Sequence, residues 1–467
     1  MLNQNTNESA AQGELHRSLS NRHLQLIAIG GAIGTGLFMG SGKTISLAGP
    51  SILFIYMIIG LMVFFVMRAL GELLLSNLKY KSFIDFSTDL IGPWAGYFVG
   101  WTYWLCWITI GIADLSAIIY YLQFFNNGIP FSPVEGAMIS VAAIIFIMGL
   151  NLMTVKLFGE LEFWFALVKI IAIVVLIAVG LWMISTGFTS TTGEVASFTH
   201  LWANGGMFPT GMEGFLAGFQ IAIFAFVGVE LVGTTAAETK DPERNLPKAV
   251  NSIPIRIIFF YVLALVIVMS VTPWNRINPE VSPFVNLFSQ AGIAAAAIIM
   301  NLVVLSSVMS SMNSGVFSTS RMLFGLSREK QGPQAFGHLN KRAVPANALY
   351  FSAICLLGGA ALQYFVPNTV EAFTLATTLS TILFILVWLI ILWSYLVYYK
   401  TRPELHAKST FKLPGGPLTC WVVIVFFIGM IYVLSLEPDT MKALMVSPIW
   451  LIILAIGYFG FYKPKHK

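Results

Sequence analysis

An apolar run long enough to cross a bilayer, residues 24–45, holds five glycines within eleven positions. They are Gly30, Gly31, Gly34, Gly36 and Gly40, in I-G-G-A-I-G-T-G-L-F-M-G. Each glycine inside a helix costs about 1 kcal/mol against alanine. Close helix packing explains G-x-x-x-G spacing, which Gly30/Gly34 and Gly36/Gly40 satisfy, but a packing seam does not need all five. The run is therefore expected to unwind around residues 31–35, with helix resuming near Thr35. Backbone groups freed at that depth are tolerated only where they are buried in protein or line a cavity. A second run, 214–237, is interrupted in a comparable way. Its F-A-F-V-G-V-E-L at 224–231 puts Gly228 and the carboxylate of Glu230 mid-span. Matched interruptions in two halves of a chain point to a transporter with its site near the bilayer midplane.

Composition supports a membrane solvent, with 57% hydrophobic and 10% charged residues. A soluble surface needs more charge than this. About 20 apolar residues cross the hydrocarbon core as a helix. Twelve segments qualify: 24–45, 51–75, 95–122, 136–155, 162–185, 214–237, 249–272, 288–320, 347–365, 370–399, 418–435 and 447–462. The net charge of +5 invites a nucleic-acid reading, but its distribution argues against one. With the N-terminus inside, loops on that side carry Arg17, Arg22, Lys79, Lys81, Arg244, Lys248, Lys341, Arg342 and others. The opposite loops carry only Lys43, Arg276 and Lys442. That is the positive-inside bias, and it places both termini in the cytoplasm. Residues 1–20 are polar and show no cleavable signal. Cys106, Cys355 and Cys420 fall in or beside separate spans, so no disulfide framework is expected. The six histidines lack ligand spacing, so no metal is expected. G-S-G-K-T at 40–44 misses the leading glycine of a phosphate loop, since Leu37 stands there.

The fold class expected is all-α integral membrane, with twelve spans. They divide into a tail (1–20), a first five-helix repeat with its outside loop (21–199), a second (200–399) and two further spans (400–467). Five is odd, so the second repeat is expected to enter the membrane from the opposite side and the two to be inverted, the arrangement expected for alternating access.

The residues at the two breaks suggest a ligand. A half-helix beginning near Thr35 offers free amides and a positive dipole end to an anion. A helix stopping near Phe224–Val227 leaves carbonyls for an ammonium. Together they describe a zwitterionic α-amino acid. Phe224 and Phe226 either pack or close over it. Ionisable groups inside the membrane are functional candidates by default. Lys169 either snorkels to the interface or is a buried amine that gains and loses a proton. Glu230 either carries a proton or holds the broken segment. Asp114 faces the cavity or a helix interface. Arg68 and Glu72, four apart, read as a structural ion pair. The eighth span is rich in small polar residues, including Ser306, Ser307, Ser310, Ser311 and Asn313. They serve helix packing or line a polar path, with Ser310 and Asn313 as possible cavity residues. No nucleophile–base–acid set suggests an enzyme.

These motifs name a family. I-G-G-A-I-G-T-G-L-F (29–38), P-S-I-L-F-I-Y (50–56), M-R-A-L-G-E-L (67–73), F-A-F-V-G-V-E-L (224–231), A-A-E-T-K-D-P (236–242), I-P-I-R (253–256) and N-S-G-V-F-S-T-S-R-M-L (313–323) resemble the amino acid–polyamine–organocation superfamily, in its bacterial amino acid transporter branch. The resemblance covers roughly 18–465. It implies an inverted-repeat fold with two C-terminal helices and proton-coupled uptake of small amino acids by a multi-pass protein of the inner membrane. It further implies glycine, D-alanine and D-serine as substrates. The carboxylate-binding amides fall on Ile33, Gly34, Thr35 and Gly36, and the amine-binding carbonyls on Phe224, Ala225 and Val227. The gating aromatic falls on Phe224 and the fifth-span lysine on Lys169. Where relatives that take larger substrates often carry glutamate on the third span, this chain has Asp114. No cofactor beyond a proton gradient and no obligatory protein partner are implied. The partners are the bilayer, the substrate and the proton. An exchanger, or a permease for other small neutral amino acids, is the alternative.

Overall fold

The computed structural model describes residues 33–191, 193–234, 241–292, 294–366 and 368–462. The expected tail and Gly30 and Gly31 lie outside these. The described residues form helices and no strand, apart from one isolated bridge between Thr189 and Val195. Ten helical stretches among them are long and apolar enough to cross a membrane, and Gly211–Phe226 is a shorter apolar one.

Among the described residues, helix begins at Thr35, as α1 (Thr35–Phe38) and then α2 (Gly40–Ala48). A 3-10 turn at Gly49–Ser51 leads into α3 (Ile52–Ser76). A short α4 (Phe83–Leu90) carries a capping box between Ser82 and Asp85. Three long helices follow: α5 (Pro93–Gln123), α6 (Pro133–Asn151) and α7 (Val155–Thr186). The interrupted segment is α8 (Gly211–Ala222), a 3-10 turn (Ile223–Phe226) and α9 (Leu231–Thr234). The next crossing is composite. It runs through α10 (Pro242–Asn251), one α turn (Ile253–Arg256), a π-helical stretch (Ile257–Leu263) and α11 (Ala264–Val271). Pro254 lacks the N–H a regular ladder needs there. Then come α12 (Pro283–Gln290), α13 (Ala294–Arg328), α14 (Ala346–Phe365), α15 (Thr369–Thr401), α16 (Pro403–Lys408), α17 (Gly416–Leu434) and α18 (Pro438–Gly457).

Many expected spans match to within a few residues, but the fifth, seventh, eighth and twelfth do not: the seventh begins at Pro242 and the twelfth at Pro438. The eighth was expected over 288–320. Instead, residues 283–290 form the separate α12, because Gly292 adopts φ 73 and ends it. The fifth was expected from 162, where charge appears. Helix α7 starts at Val155, because the Thr154 hydroxyl accepts from the Leu157 amide and caps it. Glu162 and Lys169 therefore lie well inside the helix.

Helix α5 packs along both α13 and α15, and this trio is the spine of the fold. One end of α3 is tied to the connection between α15 and α17. Glu72 is fully buried. Its Oε1 lies 2.7 Å from His406 Nδ1, and its Oε2 accepts from the Leu413 amide at 2.7 Å. Arg68 donates to Asn251 Oδ1 at 2.8 Å and to the Lys412 carbonyl, and stacks on Phe411 at 3.8 Å. Arg402 pairs with Asp89 at 2.7 Å. His406→Ala removes a partner from a buried carboxylate. A loss of about 1–3 kcal/mol is expected, read as a fall of several degrees in the thermal midpoint of the detergent-solubilised protein.

Candidate functional site

The first half of the site is the start of α1. Gly34 is extended (φ −126, ψ −163) and is its N-cap. Its carbonyl accepts from Leu37 and Phe38 at 3.2 and 3.3 Å, so the amides just ahead of these have no acceptor inside the helix. Two neighbours fix the segment. Ser307 on α13 donates to the Ile33 carbonyl at 3.2 Å. Thr35 donates through Oγ1 to Asp114 Oδ1 on α5 at 3.1 Å. Asp114 is fully buried behind Thr35.

The second half is the gap between α8 and α9. After the 3-10 turn, Val227 is extended (φ −66, ψ 141) and Gly228 takes φ 98, a conformation side-chain-bearing residues seldom adopt. Glu230, also fully buried, folds back on the gap. Its Oε2 accepts from the Gly228 amide at 3.2 Å and its Oε1 from Tyr103 at 3.3 Å. The Phe224 carbonyl accepts from the Val227 amide at 3.2 Å, and the Ala225 carbonyl from Tyr261 at 2.8 Å. Each carbonyl keeps a second lone pair. Tyr261 sits in the π-helical stretch, whose wide turn helps place its hydroxyl here.

The two halves touch backbone to backbone. A Cβ built on Gly36 would lie 2.6 Å from the Ala225 Cα and 2.8 Å from its nitrogen. Beside this contact is a cavity of ≈ 20 Å³ bounded by Thr35, Gly36, Trp107, Phe224, Val227 and Ser311. That is room for about one water, so the site is contracted. Phe224 meets Phe373 of α15 edge to face, with centroids 5.9 Å apart. Beyond the pair lie two further cavities that share Lys43, Glu280, Val370 and Thr374. One is ≈ 20 Å³ and is lined by Phe373; the other is ≈ 250 Å³ and also reaches Asn368 and Glu371. The aromatic pair thus stands between the break and a roomier vestibule.

Lys169 is fully buried and heads a directed chain of hydrogen bonds. Its Nζ donates to Ser310 Oγ at 3.1 Å, and Ser310 donates to Glu162 Oε2 at 2.7 Å. Asn313 Nδ2 donates to Glu162 Oε1 at 2.7 Å, and Asn151 donates to Asn313 Oδ1 at 2.8 Å. Ser310 and Asn313 therefore face Glu162, while the neighbouring Ser311 borders the cavity. Sequence reasoning did not single out Glu162. The available signal was its spacing, since residues seven apart share a helix face.

A multi-pass helical membrane protein in which the start of one helix meets the interruption of another around a small central cavity is built to carry a solute, not to perform chemistry on one. The family comparison agrees: the amino acid permease profile matches residues 23–467, and the chain belongs to that family. It is 62% identical to the D-serine/D-alanine/glycine transporter of Escherichia coli (strain K12) over 458 residues, 98% of this chain and 96% of that protein. It is 49% identical to the amino-acid permease AapA of Bacillus subtilis (strain 168), covering 98% and 97%. It is 38% identical to the aromatic amino acid transport protein AroP of Escherichia coli O6:H1, covering 98% of each. Its relatives are transporters and permeases, so it is not an enzyme.

Proposed function

We propose that this permease imports small zwitterionic amino acids, namely glycine, D-alanine and D-serine, in symport with a proton across the cytoplasmic membrane of a bacterium. The observation that carries this reading is the meeting of the start of α1 with the gap between α8 and α9. Amides of Ile33, Gly34, Thr35 and Gly36 receive the carboxylate. Carbonyls of Phe224, Ala225 and Val227 receive the ammonium. Both sets are backbone groups, so recognition is indifferent to the hand of the α-carbon as long as the side chain is small. The 62% identity to a transporter named for these three substrates supports the choice.

Taking the Gly40–Ser76 stretch as two crossings and the α8–α9 segment as another brings the span count to twelve. The positive-inside bias then orients an inverted five-plus-five repeat with two extra helices and both termini in the cytoplasm. In the cycle, substrate enters through the vestibule past Phe224, the first and sixth spans rock, and Lys169 gives up its proton as the substrate leaves inward. Glu230 holds the Gly228 turn or takes part in coupling. No cofactor and no protein partner enter this scheme. Phe224→Ala opens the barrier to the vestibule. It is expected to raise the apparent KM for glycine about tenfold, measured from initial uptake rates.

The test is uptake of labelled glycine, D-alanine, D-serine and L-alanine into proteoliposomes, with and without an inward proton gradient. Gradient-driven accumulation of the first three confirms the reading. Uptake that ignores the gradient and needs amino acid inside identifies an exchanger. Failure of all four overturns the substrate assignment.

A further inference from the structure

We propose that Glu162 is the carboxylate that exchanges the transported proton with Lys169, through the hydroxyl of Ser310. This rests on the proton-symport reading above and names the group that reading lacks.

Geometry carries it. The bonds run in one direction, from Lys169 Nζ to Ser310 Oγ to Glu162 Oε2. A hydroxyl that accepts one hydrogen bond while donating another can pass a proton along without moving either neighbour. In the transfer, an N–H bond of the Lys169 ammonium breaks and an O–H bond forms on Ser310. The original Ser310 O–H breaks and a new O–H forms on Glu162 Oε2. The start is an ammonium and a carboxylate; the end is a neutral amine and a neutral acid. The pair is neutral overall in both states, so no net charge is created in a medium where charge is expensive. Direct release from Lys169 would instead leave Glu162 as an unpaired buried anion.

Position gives the direction. Glu162 lies seven residues, about 10 Å, nearer the start of α7 than Lys169 does. That start is the cytoplasmic end under the orientation proposed above. Charged groups near this cluster on the neighbouring helices include Asp114 on α5, which acts on the Lys169 charge, and Arg321 on α13, which stacks on Phe317 at 3.5 Å. Asp114 lies on the substrate side, since it accepts from Thr35 of the first break. The three ionisable groups thus lie in series from the broken segment toward the start of α7: Asp114, Lys169, Glu162. Asn313, itself held by Asn151, donates to the far oxygen of Glu162, while Oε2 takes the bond from Ser310.

The experiment compares wild type, Glu162→Gln, Ser310→Ala and Ser310→Thr in proteoliposomes, by gradient-driven accumulation of labelled glycine and by counterflow at equal pH. Glu162→Gln keeps the shape and a hydrogen-bonding head but loses the proton site. Its accumulation should fall at least tenfold while counterflow stays within twofold of wild type. Ser310→Ala should slow accumulation at least fivefold, also sparing counterflow, and Ser310→Thr should restore it. Gradient-driven accumulation by Glu162→Gln at the wild-type rate overturns the proposal while leaving the symport reading intact. If Glu162→Gln loses both modes, the serine pair decides: a Ser310→Ala variant equal to wild type, or one that loses both modes, overturns it. A wild type that ignores the gradient overturns the symport reading itself, and this proposal with it.

Discussion

Gly36→Ala abolishes substrate uptake while leaving the protein in the membrane. The added methyl has nowhere to go. It lies 2.6 Å from the Ala225 Cα and 2.8 Å from its nitrogen, both backbone atoms, and 3.0 Å from the Phe224 ring. A flexible side chain could swing aside, but a backbone already committed to a 3-10 turn and an extended residue cannot. The start of α1 and the α8–α9 gap must therefore separate, which parts the amides and carbonyls proposed to hold the substrate. Overpacking of this kind costs about 1–3 kcal/mol in stability, a moderate fall in thermal midpoint. The effect on transport is larger, at least a hundredfold in initial uptake rate, because a ligand held at both ends loses both grips when the ends move apart. An uptake rate within threefold of wild type would show that the close approach does not matter to transport.

Lys169→Met removes the amine and leaves the Glu162 carboxylate buried without its counter-charge. Breaking one member of a buried pair costs about 3–5 kcal/mol, so a fall in thermal midpoint larger than that for His406→Ala is expected. Adding Glu162→Gln to this variant should recover at least half of the loss, because the amide needs no cation. That recovery separates the pair from two independent residues. Neither the single nor the double variant should accumulate glycine against a gradient. Additive losses of stability would place Lys169 and Glu162 outside any shared network.

Local signals were readable in the sequence. The crowded glycines pointed to a helix onset near Thr35, where α1 begins, and Gly228 in a run of large apolar residues placed the gap between α8 and α9, because only glycine takes φ 98 cheaply. Partnerships across long separations were not readable. Thr35 and Asp114 are 79 positions apart, Ser310 and Glu162 are 148, and no periodicity links such pairs. Hydropathy put the fifth span from 162, after α7 has already begun at Val155, because Lys156, Glu160 and Glu162 lower it there. The chain instead uses the Thr154 cap to begin the helix early and carries the charge inside. The π-helical turn that presents Tyr261 to Ala225 also has no composition of its own; it follows from tertiary packing.

One turn before Glu162 on α7, Phe158 lies flat against Phe317 of α13, with ring centres 3.8 Å apart and planes 9° from parallel. Arg321 covers the far side of Phe317. Stacked rings neither accept nor hand on a proton, so under the proposed relay a proton delivered to Glu162 would stop there until α7 and α13 drew apart. The ring pair would then be an insulator at the inner end of the relay. A cell holds its membrane voltage at all times, and an uninsulated relay would short-circuit it in every idle carrier.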